Sequence, residues 1–147
     1  MKKSIWLFNL FLVLALVLAA CAKTPAEAPA VDCRAQTTSE AVGSYQVPAP
    51  IEGCYNVAFV YVGPHDDGGW SQSHDVGRIY VEQHMEGVHT AYVENVAEGA
   101  DSEQVTRSLA RKGFNVIFTT SFGFMDSSET VANEFPDVDI IHVSGFK

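Results

Sequence analysis

Between Gly63 and Arg78 the chain reads GPHDDGGWSQSHDVGR. Paired carboxylates, adjacent glycines, a tryptophan and two histidines share one short stretch, so several chemistries need weighing. A dinucleotide site needs G-x-G-x-x-G at the turn between a strand and a helix. Here Pro64, Asp66, Asp67 and Trp70 stand where a pyrophosphate would approach, and no P-loop lysine follows. Carboxylate-led phosphoryl chemistry at Asp66 and Asp67 would require acidic and basic partners after later strands. Arg111 and Lys112 fall at the far end of their helix instead. His65, His74 and Asp67 form the best metal set the sequence offers, but they lack the tight spacing of a metal motif. His84 and His89 read as a surface helix end and a strand edge, and His142 as packing or hydrogen-bonding within a sheet. Ser73 and Ser121 lack the frame of a nucleophile elbow.

Binding fits these residue types better. Trp70 offers a flat stacking face for an aromatic solute. A second unusual segment, TTSFGFMDSS from Thr119 to Ser128, adds Phe122, Phe124 and Met125. Asp67 and Asp126 are acceptors suited to N–H or hydroxyl groups, and the glycines permit close backbone approach. Plainer readings stand beside these: Trp70 as a structural lid, Asp67 as a turn residue, Asp126 as a helix N-cap, and Ser71 or Ser73 as caps.

The flanking segments must bring the two stretches together. YNVAFVYVG is a continuous β-branched and aromatic run of the kind found in strands buried on both faces. A helix is expected next, with Val76, Ile79, Tyr80 and Gln83 inward and Gly87 as its stop. VHTAYVE is a second strand. Asp101-Ser102-Glu103-Gln104 has capping-box form before a helix that turns Val105 and Leu109 inward and stops at Gly113. NVIFTT is a third strand. Asp126-Ser127-Ser128-Glu129 again has capping-box form, ahead of a helix with Val131, Ala132 and Phe135 inward, and VDIIHVSG is a fourth strand. Alternation of this kind predicts an α/β fold, a doubly wound parallel sheet with right-handed crossovers and strand order 2-1-3-4. Ligands of such sheets bind beyond the carboxyl ends of the strands, at the switch point between strands 1 and 3. Both unusual segments fall there.

The rest of the chain sets the context. It has 147 residues, room for one modest domain, with 47% hydrophobic and 18% charged residues and a net charge of -9. That charge argues against a nucleic-acid partner. Lys2 and Lys3 precede an apolar run from Ile5 to Ala20 broken only by Asn9, a signal-peptide pattern too short for a comfortable membrane span. It closes on Leu18-Ala19-Ala20-Cys21, which resembles the lipobox of bacterial lipoproteins and makes Cys21 the expected lipidation site. Residues 21–54 read as a flexible tether rich in Ala, Pro, Ser and Thr. In an oxidising compartment Cys33 and Cys54 are an even pair able to form a disulfide, with two unpaired thiols as the alternative.

The segments VAFVYVGPHDDGGWSQSHDVGR, YVENVAEGADSEQVTRSLARKGFNVIFTTSFGFMD and VANEFPDVDIIHVSGFK together resemble the basic membrane protein family of substrate-binding lipoproteins, the purine nucleoside receptor group. The resemblance runs from about Tyr55 to Lys147. It implies the start of the N-terminal lobe of a type I periplasmic-binding-protein fold, over residues 55–147, and a purine base or nucleoside as ligand. It also implies ABC permease subunits as partners, membrane attachment through the lipid anchor alone on the extracytoplasmic face, and neither cofactor nor metal. By the same resemblance Asp67, Gly69, Trp70 and His74 match one ligand loop, and Ser121, Phe122, Gly123, Phe124, Met125 and Asp126 match the second. The family has two lobes closing on the ligand, and this chain ends after the fourth strand, so an N-terminal portion of a longer protein is expected. A sensory lobe feeding a receptor kinase or chemoreceptor is the alternative reading. Metal-assisted hydrolysis at His65, Asp67 and His74 is the outsider.

Overall fold

The computed structural model describes residues 31–146, so the signal segment and Cys21 lie outside the described residues. Two short strands come first, β1 (Ser39–Val42) and β2 (Tyr45–Pro48), paired as an antiparallel hairpin. They are followed by β3 (Tyr55–Val60), α1 (Trp70–His84), β4 (Val88–Val93), α2 (Ala100–Lys112), β5 (Val116–Thr119), a single 3-10 turn (Phe122–Phe124), α3 (Met125–Glu134) and β6 (Asp139–His142).

The last four strands form one parallel sheet in the order β4-β3-β5-β6, the 2-1-3-4 order expected. The apolar run of β3 is buried on both faces. Ala58 and Val60 join a core with Val105 and Leu109 of α2 and Val131 of α3. Val57, Phe59 and the following Tyr61 join a second core with Val88 and Val116, against which Val81 of α1 packs. Thus α2 and α3 cover one face and α1 the other. Gly113 ends α2 in the left-handed conformation, φ 100°, and its N–H caps the Leu109 and Ala110 carbonyls, an ending that favours glycine.

Four expectations are corrected. The first is the orientation of α1. Val76 and Tyr80 are 60% and 62% exposed, and Ile79 and Gln83 also face outward. The inward stripe is polar: Ser71, Asp75, Arg78 and Glu82. Asp75 Oδ1 accepts from Arg78 Nε and from the buried Tyr61 hydroxyl (3.2 Å). Arg78 also donates to Glu82 (2.7 Å) and to Thr90 (3.2 Å), and its guanidinium lies 5.0 Å over the Tyr92 ring. Charge-assisted bonds among Asp75, Arg78 and Glu82 make burial of those side chains tolerable, whereas a rule that puts apolar residues inside points to the opposite face.

The second correction concerns the tether. From Val31 onward the segment belongs to the same compact unit as the sheet. Val47 is fully buried in the core beside α2, and Cys33 and Cys54 are joined by a disulfide with Cα atoms 5.8 Å apart. Third, neither capping box forms at a helix start. The N-caps are Gly99 and Phe124, so Asp101 and Asp126 lie two residues further in, within the first turn. Fourth, His89 stands on the edge strand β4 as expected, yet it is buried there, and its Nδ1 donates to the Cys33 carbonyl (3.1 Å).

Candidate functional site

The carboxyl ends of all four parallel strands meet at one end of the sheet. The loop after β3 is shaped by Asp67. Its Oδ1 accepts from Gly69 N (2.8 Å) and Gln72 N (3.0 Å), and its Oδ2 accepts from Ser71 N (3.0 Å). These are amides of the first turn of α1 that have no partner within the helix. The amides of Gln72, Gly69 and Ser71 hold the Asp67 carboxyl down at about 2. Both its oxygens are engaged by its own loop, so Asp67 builds the helix start, the plainer of its two readings. Gly68 takes φ +72° in the turn between them.

That start places Trp70 as the first residue of α1. Its indole N–H donates to the Thr120 carbonyl in the loop after β5, so one side chain joins the two segments singled out from sequence. The ring remains 49% exposed. His74, one turn on, donates from Nδ1 to the Trp70 carbonyl (2.7 Å), and its ring lies 4.8 Å from the indole at 60°. Trp70 therefore presents a fixed aromatic face whose polar edge is already satisfied.

The loop after β5 divides into outward and inward residues. Phe122 is 57% exposed beside the cleft and approaches Phe146 at 6.3 Å between ring centroids. Phe124, expected at the ligand, is fully buried in the core below the loop, where the 3-10 turn directs it. Ser121 is nearly buried, and its hydroxyl donates to Glu98 Oε1 (2.6 Å) while its carbonyl accepts from His142 Nε2 (2.8 Å). Gly123 lies against the Glu98 carboxylate, into which any Cβ would project. Met125 is half-buried and Asp126 exposed at the start of α3.

His65, Asp67 and His74 are each engaged separately. His65 donates from its backbone N (2.7 Å) and from Nδ1 (2.8 Å) to Glu94 Oε2. The Glu94 hydrogen bond raises the His65 imidazole above its ordinary value, and the His65 backbone N–H in turn lowers Glu94. Among the described residues no group of three His, Cys, Asp or Glu side chains is placed to hold a metal ion. Glu94 and Glu98 were not legible as site residues, because nothing in their spacing marks the turn after β4 as part of the cleft. A cavity of about 620 Å³ opens elsewhere, between the hairpin and β4, lined by Tyr45, Gln46, Tyr92 and Glu94. It touches neither Trp70 nor Phe122. The candidate site lies at Trp70 and Phe122, where exposed aromatic faces coincide with the switch point.

The arrangement is one wall of a cleft. It offers aromatic faces and an acidic rim of Asp66 and Glu94, while Glu98 is engaged by Ser121, with no paired nucleophile and base among its described residues. Comparison with known proteins gives the family and the fold. The family model of the Bmp proteins, described as ABC transporter substrate-binding protein PnrA-like, matches residues 54–147. A purine-binding protein of Brucella abortus is 49% identical over 92 residues, 62% of this chain and 26% of that protein. A putative ABC transporter glucose-binding protein of Haloferax volcanii is 37% identical over 112 residues, 76% of this chain and 28% of that protein. The chain thus spans about a quarter of the length of these curated relatives. Among solved structures, an ABC transporter solute-binding protein of Conexibacter woesei superposes with a TM-score of 0.55 at 23% identity, over 59% of this chain and 28% of that one. One from Aeropyrum pernix superposes with a TM-score of 0.55 at 19% identity, over 63% of this chain and 25% of that one. At these identities the superpositions speak for the fold alone, that of part of one lobe of a periplasmic-binding protein. With its model matched along the whole parallel sheet, the chain belongs to the Bmp family of PnrA-like ABC transporter substrate-binding proteins.

Proposed function

We propose that this chain supplies the first-lobe wall of a cleft that captures a purine base or nucleoside for an ABC importer. The observation that carries the reading is the half-exposed Trp70 ring, fixed across the switch point by its bond to the Thr120 carbonyl. A planar heteroaromatic solute stacks on such a face. The Brucella relative, described as purine-binding, supports the same ligand class. The acidic rim favours a neutral solute rich in N–H donors and repels a phosphate, so a base or nucleoside fits better than a nucleotide. Binding rather than catalysis is the role, with permease subunits as partners on the extracytoplasmic face and a lipid at Cys21 as anchor. Fatty-acid labelling tests the anchor: label that persists in a Cys21→Ala chain rules it out.

The Haloferax relative, described as glucose-binding, favours a second reading, since sugars also stack on tryptophan. Calorimetry on the full gene product with adenine, guanine, adenosine, AMP, riboflavin and D-glucose separates the two. The purine reading expects binding of a base or nucleoside, with AMP weaker. Glucose binding without purine binding overturns it. Trp70→Ala is expected to weaken purine binding at least ~10-fold, the equivalent of about 1.4 kcal/mol. Unchanged affinity would remove the stacking role.

A further inference from the structure

The turn after β4, from Glu94 to Gly99, lies between the two cleft loops and touches both. On one side Glu94 Oε2 accepts from the backbone and the ring of His65 (2.7 and 2.8 Å), and Asn95 N donates to the Gly63 carbonyl (3.2 Å). On the other side Glu98 Oε1 accepts from Ser121 Oγ (2.6 Å), and its carboxylate fills the space where a Cβ of residue 123 would stand. Glycine at 123 is what admits that approach. The turn bends through Asn95 at φ 57° and Gly99 at φ 82°, a geometry that Asn and Gly accept most readily.

The turn is also gripped from behind. Tyr45, on the hairpin strand β2, accepts the Ala97 N–H (3.2 Å) and donates to Asp101 Oδ2 (2.8 Å) in the first turn of α2. One hydroxyl thus ties together the hairpin, the turn and the following helix. Its neighbour Val47 holds the hairpin in the core.

We propose that Tyr45 and Glu98 are positioning residues of the cleft, which hold the turn 94–99 so that the Trp70 loop and the Phe122 loop keep one spacing before ligand arrives. The physical reason is preorganisation. A loop already held in its bound arrangement loses less conformational freedom on binding. Both cleft loops bond to a single short turn, so a shift of the turn moves both loops. Glu98 acts as an acceptor for Ser121, and the amide oxygen of glutamine can replace it in that role.

The ligand part of the test rests on the purine reading, and the exchange part does not. Hydrogen exchange is followed in the ligand-free full gene product, and adenine binding by calorimetry, for Glu98→Ala, Glu98→Gln and Tyr45→Phe. Glu98→Ala is expected to speed exchange of the amides at 121–124 roughly 10-fold while those of β3 and β5 stay as they were. It should weaken adenine binding by about the same factor, with Glu98→Gln within about 3-fold of wild type in both readouts. Tyr45→Phe keeps the ring, removes both hydrogen bonds, and should speed exchange at 95–99 and in both cleft loops. Wild-type exchange at 121–124 in Glu98→Ala overturns the proposal. So does a Glu98→Gln protein that loses adenine as Glu98→Ala does while its exchange stays normal, since that marks a direct ligand contact. If wild type binds no purine, the purine reading fails and the exchange data alone decide on positioning.

Discussion

Asp67 and Trp70 lie three positions apart and act in different ways. Asp67 holds three amides of the α1 start, and those bonds depress its carboxyl to about 2. A carboxyl depressed in the folded state adds stability that is present above its unfolded value of 3.8 and is lost as pH falls through about 2. Asp67→Ala is expected to lower the thermal midpoint by roughly 5 °C at neutral pH, a typical loss for a helix cap in a domain of this size. The difference from wild type should vanish in acid below pH 2, and a scanning-calorimetry series across pH checks both. His65 behaves in the opposite sense. Its imidazole is raised by Glu94, so its share of the pairing is complete below the ordinary 6.5 and is lost as pH rises through the folded value. Glu94 is lowered, so its share is complete above 4.5 and is lost in acid. The ion pair therefore holds best between about pH 4.5 and 6.5. An NMR titration should place the His65 midpoint above the ordinary imidazole value, and Glu94→Gln should return it there. An unshifted wild-type midpoint would contradict the pairing.

At the scale of elements, α1 is the informative case. Periodicity identified the helix, and the structure turns its other side inward. Val76, Ile79, Tyr80 and Gln83 are spaced for an apolar face, yet Ser71, Asp75, Arg78 and Glu82 also fall on one helical face, and the last three carry mutually complementary charges. Sequence periodicity alone does not rank an apolar stripe above a self-satisfied polar one when Tyr61, Thr90 and Tyr92 wait on the sheet with matching groups. The network clamps the helix that presents Trp70. Arg78→Met would leave Asp75 buried beside Tyr61 without its charge partner. Urea unfolding is expected to show a loss of about 3 kcal/mol, as for other broken buried pairs. A loss under ~0.5 kcal/mol, within the range of ordinary surface changes, would mean the network carries no stability. By contrast the inward Val105 and Leu109 of α2 and its Gly113 stop were legible, because both side chains join the apolar core, although its expected capping box did not form.

For the molecule as a whole, the segment ahead of the parallel sheet matters most. Composition marks it as a linker, and its described part forms a hairpin that buries Val47 in the core and carries Tyr45 to the turn after β4. Arg34 extends this role, donating to the Glu82 (2.9 Å) and Gln83 (3.1 Å) carbonyls near the end of α1. The Cys33–Cys54 disulfide closes the segment into a loop with a sequence separation of 21. In the chain-entropy account such a loop contributes about 3 kcal/mol. Reduction, or a Cys33→Ser and Cys54→Ser double variant, should lower the denaturation midpoint accordingly. An unchanged midpoint would show that the hairpin is held by packing alone.

Sequence was sufficient for the element order, the parallel sheet with β3 at its centre, the two loops at the switch point, and the family. Element order, sheet and loop placement follow from local periodicity and strand chemistry, which each segment carries within itself, whereas the family was read from the resemblance of whole motifs. Tertiary structure decided which residues of those loops face the cleft. It sent Phe124 into the core, engaged Asp67 in a helix start, joined Trp70 to Thr120, and gathered Glu94, Glu98 and Tyr45 around the turn that bonds to both loops. Those outcomes depend on side chains tens of residues apart competing for the same buried hydrogen bonds and the same space, and that competition exists only once the chain is folded.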